Sequence, residues 1–128
     1  NYAYSLVRLD RYQEARSLLR KTLPVARRVL GASHDHTLRM RWTYAQSLYK
    51  DPGASLDDLR EAMATLEETA PIARRVLKGN VHRVLELRQE QRLAAKRLEE
   101  SSVAQAEKDA ELHSLRVALR QATAEHEL

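Results

Sequence analysis

The chain has 128 residues, with 22 Lys and Arg against 18 Asp and Glu, no cysteine, three glycines and three prolines. That length suits one ordinary domain, and the lack of cysteine excludes disulfides and thiolate-bound metals. Few helix breakers and a 43% hydrophobic content poor in aromatics point to an all-α fold with a thin aliphatic core.

Tyr2, Ala3 and Leu6 form the first helical stripe, and a turn comes next at Leu9-Asp10-Arg11. Asp10 is placed as N-cap of a second helix, with Gln13 completing a capping box, so that this helix begins at about Arg11. Its apolar positions Tyr12, Ala15, Leu18, Leu19, Leu23, Ala26, Val29 and Leu30 keep helical spacing until Gly31 closes the element. Pro24 lies inside and removes the amide bond to the Arg20 carbonyl, which costs ~3 kcal/mol in an ideal helix interior. The helix either bends there or breaks and restarts with proline in its first turn.

Ser33 or Asp35 caps a third helix that runs through Leu38, Trp42, Ala45, Leu48 and Tyr49 to the turn Asp51-Pro52-Gly53. Ser55 and Asp58 signal a fourth start. Its buried stripe is Leu56, Leu59, Ala62, Met63, Leu66, Ala70, Ala73, Val76 and Leu77. Gly79 ends it and Asn80 caps the next helix.

These elements repeat. Pro24-Val25-Ala26-Arg27-Arg28-Val29-Leu30 returns 47 positions later as Pro71-Ile72-Ala73-Arg74-Arg75-Val76-Leu77. Tyr2-Ala3 and Ser5-Leu6 return as Tyr44-Ala45 and Ser47-Leu48, an offset of 42, and a five-residue insertion in the second turn accounts for the difference. The second half of each longer helix is expected to bury Ala26, Val29 and Leu30, or Ala73, Val76 and Leu77, with the paired arginines toward solvent. Residues 1–79 thus read as two helix pairs, the first N-terminally truncated, and the chain as a fragment of a longer protein. Each pair exposes an apolar face that it cannot bury alone, so the pairs stack, and Ala3, Ala15, Ala45 and Ala62 let backbones approach.

At these residues the chain resembles the tetratricopeptide repeat, specifically the longer repeats of the kinesin light chain type. Asn1-Tyr2-Ala3, Leu6, the turn Leu9-Asp10-Arg11-Tyr12, Glu14-Ala15 and Leu19 fall on that family's helix A, inter-helix turn and helix B positions. Arg28-Val29-Leu30-Gly31-Ala32-Ser33-His34-Asp35-His36-Thr37-Leu38 looks like its extended helix B end and following loop. The resemblance covers roughly residues 1 to 85. It implies a superhelix of antiparallel pairs that binds peptides on its concave side, where the family places an Asn on helix A. Asn1 fits that position, and Thr43 occupies it in the second repeat.

From Asn80 onward there is no Gly or Pro, and a heptad frame runs through Val84, Leu87, Gln91, Ala94, Leu98, Ser101, Gln105, Lys108, Leu112, Leu115, Leu119 and Ala122. Residues 80–128 therefore read as a helical, coiled-coil-like tail whose first part packs as the next repeat's helix A. It is one long helix, the favoured reading, or it breaks at Ser101-Ser102. Leu112, Leu115 and Leu119 are its candidate interface.

No chemistry-bearing motif emerges. His34-Asp35-His36 places two His on different helix faces without a third ligand, and no phosphate loop or nucleophile triad is present. The expectation is a non-enzyme with no catalytic, cofactor or metal residues. No run approaches the ~18 apolar residues of a membrane helix, and nothing resembles a signal segment, so the expected setting is cytoplasmic.

Residues 1–50 hold ten Lys/Arg against three Asp/Glu, so the front half is basic. The leading reading is a protein-interaction module whose A helices present Asn1, Tyr4, Arg8, Arg39, Thr43, Gln46 and Lys50 as a mildly basic concave surface for an acidic peptide or helix. The alternative is a structural element that homo-oligomerises through the tail. Nucleic-acid binding ranks last, because no aromatics accompany the arginines for base stacking.

Overall fold

The computed structural model describes residues 2–127. They form five helices and no strand: α1 (Tyr2–Arg8), α2 (Tyr12–Val29), α3 (Asp35–Tyr49), α4 (Leu56–Val76) and α5 (Val81–Glu127). Residues up to Leu98 make one compact unit, and Glu99 onward a second. In the first unit α1 packs on α2, α2 on α3 and α3 on α4. Short connections between helices in contact make each pair antiparallel.

The core is a line of small and aliphatic side chains down the stack. Ala15, Ala45, Leu48, Leu59, Ala62, Leu66 and Ala94 are fully buried, and Ala3, Leu19 and Leu87 nearly so. The alanines sit where helices cross and bring the backbones close. The leucines fill the space between, each contributing about 1.5–3 kcal/mol on burial. α5 joins this core through Leu87 and Ala94, and α5 is continuous through Ser101-Ser102.

Pro24 lies inside α2 and Pro71 inside α4, so neither breaks and restarts its helix. Ser55 and Asp58 close the expected capping box at the start of α4. Asn80 Oδ1 accepts from the Arg83 amide at the start of α5. Gly31 adopts φ 94°, the left-handed conformation that ends α2.

Three local expectations are corrected. Asp10 does not cap α2; its φ of 59° and the bonds Asp10 N–H to Val7 O and Arg11 N–H to Leu6 O make it the left-handed residue that terminates α1. Its carboxylate accepts from the Tyr12 hydroxyl, and the Arg11 side chain makes no cap bond to α2. At α3 the cap is His34, whose Nδ1 accepts from the His36 amide, rather than Ser33 or Asp35. Asp35 is already helical and directs its carboxylate to Arg39 and Arg83.

The repeated stretch buries less than its spacing predicts. Ala26 and Ala73 are buried, but Val29 is 70% exposed, Leu30 43% and Val76 42%. Helical spacing at the end of each longer helix therefore does not by itself bury these side chains, whereas Leu77 does pack against the core. The paired arginines Arg27, Arg28, Arg74 and Arg75 are exposed, as expected.

Candidate functional site

A groove of about 610 Å³ runs along the shorter helices of the first unit. α1 supplies Tyr4; α3 supplies Asp35, Leu38, Arg39, Trp42, Thr43, Gln46 and Lys50; Ala73 and Leu77 come from α4 and its end. α5 closes the far wall with Arg83, Glu86, Gln89, Glu90 and Leu93. Helix periodicity explains the α3 set: each of positions 35, 38, 39, 42, 43, 46 and 50 lies three or four residues from another of them, so they share one face.

Of the partner-contacting residues expected from sequence, Tyr4, Arg39, Thr43, Gln46 and Lys50 come together here. Arg8 is exposed but is not part of the lining, and Asn1 lies outside the described residues. Thr43 and Gln46 are buried even in the open groove. The Thr43 hydroxyl donates to the Arg39 carbonyl (2.9 Å), and the Gln46 amide donates to Glu90 Oε1 (3.0 Å). These two side chains therefore shape the wall, whereas Tyr4, Arg39 and Lys50 are exposed.

The charges alternate in sign. Asp35 pairs with Arg83 (2.6 Å) and Arg39 (3.3 Å), joining α3 to α5. Partial burial favours the neutral Asp35 acid, but the two guanidiniums together prevail and hold its pKa below the usual aspartate value. Lys50 is exposed by area, yet its ammonium is sufficiently desolvated to lower its pKa. Among the described residues it has no ion-pair partner. Burial pushes the Glu90 carboxyl above the usual glutamate range, against the opposing influence of the Gln46 amide and the Trp42 indole. Apart from the Trp42 indole beside the carboxylate, buried Glu90 Oε2 meets no donor among the described residues.

Two networks brace the groove from behind. Arg20 Nε donates to the Tyr44 hydroxyl (3.1 Å), which donates to Glu61 (2.6 Å), linking α2, α3 and α4. The Arg97 guanidinium donates to the carbonyls of Tyr49 (2.6 Å), Asp51 (3.1 Å) and Pro52 (3.3 Å), tying α5 to the turn after α3.

The α5 wall was not among the partner-contacting residues expected from sequence. The signal was the offset of 47: carried from Arg39, Trp42, Thr43 and Gln46, it lands on Glu86, Gln89, Glu90 and Leu93, all of which line the groove. Among the described residues no group of three His, Cys, Asp or Glu could hold a metal, and no helix is long and apolar enough to cross a membrane.

Stacked antiparallel helix pairs with a groove along their shorter helices define a helical-repeat scaffold. The family model of the tetratricopeptide repeat matches residues 1–75, and the chain belongs to that family, whose repeats generally mediate protein–protein interaction. No curated protein and no solved structure matches the chain.

Proposed function

We propose that the groove receives a peptide or helical segment of a partner protein, that the segment is acidic, and that the chain acts as a non-catalytic scaffold. The observation that carries this reading is the convergence of Tyr4, Arg39 and Lys50 on one groove, with Lys50 lacking a counter-ion among the described residues. A carboxylate on the incoming segment meets an ammonium that has already lost part of its hydration, so pairing costs that cation little further water. The half-buried Trp42 and the exposed Leu93 offer apolar contact. We further place the repeats with the longer, kinesin light chain type. The extended α2 and α4, each with its internal proline and exposed arginine pair, support that placement.

The test is fluorescence anisotropy of the full chain with matched acidic, neutral and basic peptide panels at low and high salt. Acidic peptides are expected to bind tightest and to lose affinity as salt rises. Equal or tighter binding of the basic panel overturns the proposal.

A further inference from the structure

The unit from Glu99 onward carries a row of large apolar side chains that nothing among its described residues covers. Leu112 is 49% exposed, Leu115 60% and Leu119 68%. They are spaced three and four apart on one helix face, with Ala122 next in the row. The opposite face offers Val103, Ala106, Ala110 and Val117, whose smaller side chains bury less area. Burial of the leucine row therefore dominates any association of this helix.

We propose that this row is the seam of a parallel two-stranded coiled coil formed with a second copy of the chain. In the heptad frame Leu112 and Leu119 take one core position and Leu115 and Ala122 the other. The flanking positions are then Glu111 and Arg116. In a parallel pair, Glu111 of one copy faces Arg116 of the other across the seam, and symmetry makes that contact twice. Lys108, one layer earlier, has Asp109 of the second copy beside it.

Antiparallel pairing is worse on both counts. The register that opposes Leu115 to Leu119 sets Arg116 near Arg116 and Glu111 near Glu125 of the second copy, so like charges meet. The register that brings Asp109 to Arg116 sets Leu119 against Lys108. Only the parallel arrangement stacks every leucine on its own copy while the flanking charges attract. The seam is short, so self-association is concentration-dependent rather than permanent. It lies far along the chain from the groove residues and does not depend on the peptide-binding reading.

Sedimentation equilibrium of the full chain over a wide concentration range tests the proposal. A monomer–dimer equilibrium is expected, weakened about tenfold or more by L115D with helicity unchanged by circular dichroism. E111R and R116E are each expected to weaken it about threefold or more, and the double variant to restore it. Because the chain has no native cysteine, A122C reports strand direction: a parallel pair cross-links at that position under mild oxidation. A monomer at all concentrations, a dimer indifferent to L115D, failure of the double charge swap to restore association, or a dimer in which A122C does not cross-link each overturns the proposal.

Discussion

Arg16 Nη2 lies 2.8 Å from Asp51 Oδ2, with the two side chains only 9% and 16% exposed, and so joins the first helix pair to the turn that ends α3. Arg16 Nη1 also approaches Asp58 at 3.7 Å, so one guanidinium spans α2, the turn and the first turn of α4. Removing it leaves a poorly hydrated carboxylate without its cation. Arg16→Ala is expected to destabilise the fold by about 2–3 kcal/mol in urea unfolding. Combining it with Asp51→Asn should cost less than the two single effects together.

Helices α2 and α4 carry exposed and buried positions of the same chemical type. Leu66 has no exposed surface, so Leu66→Ala opens a cavity and is expected to cost about 2–5 kcal/mol. Val29→Ala removes a solvent-facing side chain and replaces a β-branched residue with a better helix former, so it should shift stability by no more than about 0.5 kcal/mol. Urea midpoints of the two variants decide the matter.

The capping box of α4 is a reciprocal pair of bonds: the Asp58 amide donates to Ser55 Oγ (3.1 Å), and the Ser55 amide donates to Asp58 Oδ2 (3.0 Å). Ser55→Ala deletes the first and is expected to cost about 1 kcal/mol. Ser55→Asp keeps an acceptor there and should retain most of the stability in the same denaturation assay.

Glu90 predicts a pH dependence. Its pKa is raised on folding by burial, so the folded chain holds this proton over a window in which the unfolded chain has released it. Stability from this group is therefore greatest below the ordinary glutamate pKa and falls as pH rises through the folded value. Glu90→Gln keeps an acceptor for the Gln46 amide and removes the charge. It is expected to raise the melting temperature at neutral pH, with the advantage vanishing on acidification through the ordinary glutamate range. A neutral-pH loss of stability overturns this assignment.

For the groove, Lys50→Glu is the sharpest substitution, because no described carboxylate depends on that ammonium. It should weaken acidic-peptide binding about fivefold or more, at a cost of about 1 kcal/mol or less in urea unfolding because Lys50 is the C-cap of α3 and adjoins Asp51. Thr43→Ala removes only a bond to the chain's own Arg39 carbonyl, and should change affinity less than Lys50→Glu does.

Helix existence and order were legible because periodicity and caps are local: the Ser55–Asp58 box, Gly31 and the unbroken run from Asn80 are all written within a few residues. The ends were less so. Asp10 and His34 are both short polar turn residues whose role depends on the backbone angle, which letters alone do not settle. Arg16 and Arg41 are 8% and 5% exposed because Asp51 and Glu68 meet them from distant parts of the chain, and no local spacing announces either pairing. The groove obeyed the same division. Its α3 face was readable from spacing, whereas the engagement of Gln46 with Glu90 depends on how α5 returns, 44 positions away.

The turn Asp51-Pro52-Gly53 lies where the repeat length changes from 42 to 47, a place at which extra residues ordinarily accumulate without consequence. Here Arg16 grips its carboxylate from one flank, and Arg97 gathers three carbonyls from the other. The added residues thus act as a bracket that sets the registration of α2, α3 and α5 at one corner. Lengthening this corner therefore disturbs three helices at once.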